Sequence, residues 1–530
     1  MEELRRQSAL SSDGPDQIPS TVMDNAFQYF HRIYDKRLGG FGGAPKFPRP
    51  SVHHFLLRYW KRTNNVDALE MVVETLVAME KGGMNDQLGG GFHRYSVDEY
   101  WFVPHFEKML YDQAQLVTSY LEAFQITGNA TLALAARRTI DYVLRELTAP
   151  EGAFWSAEDA DSVVDPADPH HKSEGWFYIW SWKEVVEILG EEKAQWFAHR
   201  YGMTPDGNVA NDPHGEFTGR NILFQGKSVE ETAQHFKRDA DEIMRALVES
   251  QDALFRARAK RVRPHLDDKI LTAWNGLMIS AIARAASILG EERYAEAAKR
   301  ATDFLLARMR TPEGGLYRRY REGNAAIGGM LDDYAFFIQA LIDLYETTFE
   351  FRYLEAAIEL TDRQNQEFED KDSGGYFASA QPDATSLNRI KDDYDGAEPS
   401  GNSIALLNLL RLNRITGRED LLQSARGLVR TFSTRVASTP YGMPQMLVAC
   451  EFDLTPSREI VVAGNPEPEM IRQLWKRFDP NRILLKASPE MARFHPAVEE
   501  LAKLPGAIAI CENFTCRIPA TTAEDLARAL

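Results

Sequence analysis

Cysteine is scarce: three residues in 530, Cys450, Cys511 and Cys516, all near the C-terminal end. So few clustered thiols exclude the disulfide framework of a small secreted domain and point to structural thiols in a reducing, cytoplasmic setting. The C-x4-C spacing of Cys511 and Cys516 fits neither C-x-x-C redox chemistry nor the usual zinc pattern, and three cysteines cannot fill a four-cysteine site. Long apolar runs are missing as well. No stretch approaches the ~18 residues of a membrane span, and MEELRRQSALSSDGPDQIPS lacks the apolar core of a signal peptide. Residues 1–18 read as a polar tail. Positive charge is in deficit, 61 Lys and Arg against 78 Asp and Glu for a net −17, which disfavours nucleic acid and anionic membranes as partners. REIVVAGN (458–465) carries no G-x-G-x-x-G, and DDYDG (392–396) has no glutamate at calcium-loop spacing. No cofactor and no metal are therefore expected, and a neutral, hydroxyl-rich ligand fits the charge better.

What is present is a repeat. An apolar helical run ends in Ile or Leu, one residue and then Gly at QITGNATLALAARR (Gly128), SILGEERYAEAAKR (Gly290) and RITGREDLLQSARG (Gly417), with weaker copies at Gly190, Asn64 and Phe349. Gly after the last helical residue is a stop, and the polar residues after it restart a helix. Between these six joints recurs a glycine–aromatic hairpin signature: GGFGG at 39, GGGFHRY at 89, GAFWS at 152, GEF at 215, GGLYRRY at 314 and GGYFAS at 374. Helices before the joints, such as 272–289, are apolar nearly all round, whereas those after them, such as 293–310, have one charged face; the first kind is buried and the second lies outside. The pattern predicts a mainly α fold, an (α/α)6 barrel over residues 19–440 with Gly-rich β-hairpins ringing one mouth. An open superhelical array would share the period, but the hairpins all fall on one side of the repeat. The third unit, near 176–226, is the weakest, and helices around 21–36 and 229–257 are extra to the count. Residues 441–530 read as a small α/β unit.

Unusual residues concentrate at that mouth. The segment 88–116 supplies His93, Arg94, Tyr95, Trp101, His105, Glu107, Lys108 and Asp112. Segments 151–162 and 266–276 add Trp155, Glu158, Asp161, Asp268, Trp274 and Asn275, while 328–336 and 392–403 add Asp333, Tyr334, Asp395, Glu398 and Asn402. Carboxylates, amides and Arg bind sugar hydroxyls, and aromatic faces stack on pyranose rings, so the mixture suits a small-molecule or oligosaccharide substrate. Acids and amides at helix starts also serve as caps. Two reactions can be built from the set. A sugar epimerase or isomerase would use His93 and His105 as acid and base near neutral pH, with Glu107, Asp161 and Asp333 assisting. A glycoside hydrolase would use clustered carboxyls such as Glu158, Asp159, Asp161 and Asp333 with their pKa values pushed apart. A non-catalytic binding scaffold is the reading from another class.

GGFGGAPKFPRP, DQLGGGFHRYSVDEYWFVPHFEKMLYDQA, AEDADS, DDKILTAWNGLM, LDDYAF and DGAEPSGNS closely resemble the spermatogenesis-associated protein 20 family, whose members are often called thioredoxin domain-containing proteins. The resemblance runs from about residue 20 to the end. It implies a six-hairpin glycosidase-like, N-acylglucosamine 2-epimerase-like barrel, and by analogy of fold alone a role in carbohydrate metabolism. Family members normally begin with a thioredoxin-like domain. No cysteine precedes Cys450 here, so the resemblance implies redox chemistry only through a separate thioredoxin-like partner.

Overall fold

The computed structural model describes residues 14–210, 215–380, 389–456, 458–512 and 515–530. Most of the expected polar tail, residues 1–13, lies outside them; Ile18 is buried, and Asp16 meets Arg430, so the stretch just before the first helix docks on the fold.

The helices follow the repeat. In chain order they are α1 (Ser20–Ile33), α2 (Pro50–Thr63), α3 (Val66–Lys81), α4 (Leu110–Thr127), α5 (Ala130–Glu146), α6 (Trp182–Leu189), α7 (Glu191–Tyr201), α8 (Val229–Phe236), α9 (Ala240–Arg258), α10 (Thr272–Leu289), α11 (Glu292–Arg308), α12 (Leu331–Thr348), α13 (Phe351–Phe368), α14 (Gly401–Thr416), α15 (Glu419–Ser438) and α16 (Pro444–Leu454). Neighbour contacts run α2 to α4, α10, α12, α14, α16 and back to α2, so six helices close an inner ring. Their burial on nearly every side is what the all-round apolar sequences require. Helices α1, α3, α5, α11, α13 and α15 form the outer layer, burying one stripe each. The fold is an (α/α)6 barrel.

The ring uses five of the six predicted joints. Gly128, Gly290 and Gly417 take left-handed φ of 68°, 71° and 68° at the ends of α4, α10 and α14, and Asn64 and Phe349 do the same after α2 and α12 at 55° and 57°. A left-handed phenylalanine is unfavourable, and only the requirement for a tight turn holds it there. Gly190 has ψ of 160° and joins α6 to α7 instead. Helices α6 to α9 form an excursion between the third outer and third inner helix, with a core of their own around Trp180, Trp196, Phe197 and Leu247. The unit expected near 176–226 thus lies outside the ring, and α1, counted as extra, is its first outer helix. The sixth inner helix is α16, beyond residue 440 where the repeat pattern stops being legible.

Five of the glycine–aromatic signatures form the same device. After α1, α3, α5, α11 and α13 an isolated bridge pairs the chain with the aromatic or Leu that follows the glycines: Tyr34 with Phe41, Asn85 with Phe92, Thr148 with Phe154, Arg310 with Leu316 and Glu369 with Tyr376. Four of these turns lead into the N-termini of inner helices, and the fifth, at Phe154, is held to the start of α10 by Asn275 before the chain enters the excursion, which places the hairpins at one mouth. The opposite mouth is covered by residues 458–530, where strands Arg458–Gly464 and Arg482–Lys486 pair in parallel and Gly506–Glu512 runs antiparallel to the first. This unit grips the far ends of inner helices: the Leu484 N–H donates to Glu346 at 3.3 Å, the Lys486 N–H to the Tyr345 hydroxyl at 3.2 Å, and the Gln125 amide to the Trp475 carbonyl at 2.6 Å. Cys511 is disulfide-bonded, against the expectation of free structural thiols, whereas Cys450 is a buried free thiol. No described helix is long and apolar enough to cross a membrane.

Candidate functional site

Three buried amides show how the sequence builds the mouth. Gln113 in α4 accepts the Phe92 N–H and donates to the Phe92 carbonyl; Asn275 in α10 does the same for Phe154, and Asn402 in α14 for Tyr376. Each inner helix thereby pins the hairpin that enters beside it. Asn275 and Asn402, read from sequence as ligand-binding, spend their amides on this clamp. Asp395 is spent likewise: it accepts the Ser400, Gln445 and Met446 N–H groups at 2.9, 2.7 and 3.2 Å, capping α14 and α16 together.

Other candidates are also occupied in the interior. The Trp101 indole is 1% exposed and donates to the Leu38 carbonyl at 3.1 Å. His93 is buried with Nδ1 3.0 Å from the Phe106 carbonyl, and burial together with Lys108 holds its pKa well below the usual imidazole value. Lys108 is itself buried, bonded to Asp86 at 2.9 Å and seated over the Tyr142 ring at 4.3 Å. Glu158 accepts from the Tyr142 hydroxyl at 2.6 Å and pairs with Arg263. The Tyr334 hydroxyl accepts the Leu316 N–H and donates to Glu367. Asp268 pairs with Arg321 at 2.6 Å on the outer hairpin, and Trp155 is half-buried against the core.

What remains forms one continuous set around the axis. Arg94 binds Glu107 at 2.9 Å, and Glu107 reaches His105 Nε2 at 3.2 Å, while His105 Nδ1 lies 2.7 Å from Glu174. The bond to Glu174 raises the His105 pKa, and Tyr95 stacks on its ring at 5.0 Å. Asp161 sits opposite Glu174 in the hairpin register, so it borders this edge. Arg94 also neighbours Tyr111, whose ring meets Trp274 edge-on at 4.9 Å. The Trp274 indole N–H donates to Glu398 at 2.7 Å. Below Tyr111, Asp112 is 4% exposed, and among the described residues its Oδ2 has no hydrogen-bond partner.

Burial dominates the protonation of this set. It pushes the Glu398 carboxyl up to about 7, with Asp332 adding to the rise, and pushes Asp112 well above the usual range, with Glu398 and Glu107 reinforcing it against Arg94. Asp333 is also driven up to about 7 by burial, although Arg318 at 3.3 Å and the N–H groups of Ala273 and Met330 oppose it. Those two N–H bonds make Asp333 a clamp between α10 and the start of α12. Its neighbour Asp332 is half-buried with a raised pKa. Glu398, Trp274 and Arg318 are only half-buried, so the floor is reachable from solvent. Around the rim stand the exposed rings Phe47, 44% exposed and 4.8 Å from Tyr95, and Tyr394, 64% exposed. The arrangement can stack a ring, hydrogen-bond hydroxyls, and offer a proton from a carboxyl that is still partly protonated near pH 7.

Sequence reading therefore named Arg94, Tyr95, His105, Glu107, Asp112, Trp274 and Glu398 of this set, with Asp161 and Asp333 at its edges. Arg318 and Glu174 escaped it. Arg318 had a signal, an arginine in the GGLYRRY hairpin leading into an inner helix; Glu174 lies in a polar hairpin whose return to His105 no local pattern announces.

Among curated proteins, human spermatogenesis-associated protein 20 is 37% identical to this chain over 98% of its length, covering 71% of the human protein. The chain belongs to the spermatogenesis-associated protein 20 family. An uncharacterized protein of Caenorhabditis elegans is 33% identical over 95% of this family member and 73% of its own length. No family model matches the chain. Among solved structures, cellobiose 2-epimerase from Bacillus thermoamylovorans superposes on 78% of the chain and 87% of its own, with a TM-score of 0.49 and 10% identity.

Proposed function

We propose that this family member is a carbohydrate-active enzyme whose hairpin mouth binds a neutral glycan and cleaves a glycosidic bond by carboxyl proton transfer. The observation that carries the reading is Glu398, a half-buried carboxyl with its pKa near 7, oriented by the Trp274 indole in an acid-rich, aromatic-lined bowl. A general acid protonates the departing glycosidic oxygen, and a carboxyl with this pKa is both loaded and reactive at neutral pH. Glu107, bridged to Arg94 and His105, is the second carboxylate, the base that takes a proton from the water whose oxygen replaces the departing sugar at the anomeric carbon. Tyr111, Trp274, Tyr95 and the rim rings provide stacking faces for successive sugars.

The epimerase reading is weaker on this geometry. It needs an acid and a base near neutral pH, expected of His93 and His105, and His93 is buried against the Phe106 carbonyl with its protonated form strongly disfavoured. His105, carrying two carboxylate partners, is left to work alone.

Incubation with a panel of neutral oligosaccharides tests the reading: new reducing ends appear, without deuterium entering the sugar from heavy water. With Glu398 as the acid, kcat/KM falls tenfold per pH unit above about 7, because the proton it must give is lost. Deuterium uptake without cleavage would establish epimerisation instead, and saturable binding with no turnover would leave a glycan-binding scaffold.

A further inference from the structure

The far half of the barrel holds chemistry that the mouth does not use. Between the inner ring and the C-terminal unit lies an axial cavity of about 120 Å³. Four guanidinium groups line it: Arg58 from α2, Arg284 from α10, Arg411 from α14, and Arg482 from the covering unit. Their carboxylate partners are fewer. Arg58 and Arg284 share Glu122, with bonds of 2.7 and 2.8 Å from Arg58 and 2.7 Å from Arg284, and Glu122 is fully buried. Arg411 serves Asp343 and Glu346 at 2.8 and 3.1 Å. The remaining lining acid, Asp479, is held by Arg458, which is not part of the cavity wall.

Four arginines thus face four carboxylates, but Asp479 is shared with Arg458 outside the wall, and burial raises the Glu346 pKa, which reduces the negative charge. Arg482 is the cation left over. It stacks on the Trp475 ring at 4.2 Å and donates to the Leu474 carbonyl, and among the described residues no carboxylate forms an ion pair with it, Glu346 and Asp479 acting only at longer range. Burial drives its pKa down to about 10, with Arg284 and Arg458 adding to the fall and Glu346 and Asp479 opposing it. Arg284 spends one donor on Glu122 and stays one-fifth exposed. A desolvated cavity with four converging guanidinium groups, one of them without its own ion pair, and spare guanidinium N–H groups is a receptor for an anion. Its volume leaves room for a small anion. A second cleft shares Arg58 and Asp479–Asn481 with it and reaches the exposed Lys61, which gives a cationic approach from the surface.

We infer that this cavity is a second ligand site, for a small multiply charged oxyanion bridging Arg284 and Arg411 of the ring to Arg482 of the C-terminal unit. Such an anion would fasten the unit to the barrel from within. The site lies beyond the mouth and does not depend on the function proposed there.

Full-length protein exchanged into phosphate-free buffer is titrated with inorganic phosphate and, separately, with succinate, by calorimetry and thermal melting, against sodium chloride at matched ionic strength. A saturable heat and a saturable rise in Tm with either probe are expected; which probe binds tells a phosphoryl from a carboxylate ligand. In Arg482→Met the affinity falls about 10- to 100-fold, the loss of charged hydrogen bonds, while Tm in chloride alone is unchanged or higher, because a buried charge without its own ion pair is gone. Should Arg482→Met fail to fold, Arg482→Lys, which keeps the charge and loses the fork, weakens binding about tenfold or more. Neither probe binding the wild type, or binding that survives unchanged in the folded variant, overturns the inference.

Discussion

Replacing Asp86 by Ala lowers the unfolding free energy by about 3–5 kcal/mol, the cost of leaving buried cations without their partner. Asp86 accepts both Nη atoms of Arg258 at 2.8 Å and Lys108 Nζ at 2.9 Å, and it receives the N–H groups of Leu88 and Gly89. Asp86, Arg258 and Lys108 are nearly inaccessible, at 4%, 4% and 1%. The two cations hold the Asp86 carboxyl well below its usual range, and burial lowers Lys108 to about 8 even with that partner present. Because Arg258 comes from α9 and Lys108 from the strand entering α4, the cluster ties the α6–α9 excursion to the barrel mouth. Urea unfolding with an unchanged m-value measures the effect. A loss under about 1 kcal/mol would mean that water or rearrangement compensates the charges and that the excursion is anchored elsewhere.

Glu398→Gln is expected to lower turnover by about 10²- to 10⁴-fold, the range for losing a general acid, and to leave the fold intact. The amide oxygen still accepts the Trp274 N–H, so the loss is of the proton and not of the geometry. A stability signature accompanies it. The Glu398 pKa is raised by folding from about 4.3 to about 7, so the folded state binds the proton more tightly. Its contribution is present below the unfolded pKa and is lost as pH rises through 7. The wild type therefore loses stability between about pH 4 and 7 in a way that Glu398→Gln partly removes. Turnover within twofold of wild type would assign the acid to another carboxyl of the mouth, with Asp112 and Asp332 next in line.

The barrel was readable because its repeat is written in local chemistry: a stop residue after each inner helix and a glycine–aromatic turn before the next. The same logic misplaced Gly190, where an Ile-Leu-Gly stop followed by a charged restart serves a helix pair outside the ring. It also missed α16, which ends at Leu454 without a glycine and enters the C-terminal unit instead of another outer helix. At the mouth, residue type marked the right segments but not which side chains face the axis. Asn275 and Glu398 both belong to conspicuous motifs; one is turned to the Phe154 backbone and the other to the bowl. Lys108 and Glu107 are adjacent in sequence, yet one enters the core and the other meets Arg94. These choices depend on which hairpin lies across the ring, and no local pattern encodes that. The arginine-lined cavity was invisible for the same reason, since Arg58, Arg284, Arg411 and Arg482 come from four distant segments.

The most direct test is a crystal structure of the Glu398→Gln protein soaked with neutral oligosaccharides. Sugar density in the hairpin bowl, with a ring against Trp274 or Tyr111 and a glycosidic oxygen within hydrogen-bond distance of residue 398, is the predicted result. An empty bowl at saturating sugar, or sugar bound only on another face of the barrel, would contradict it.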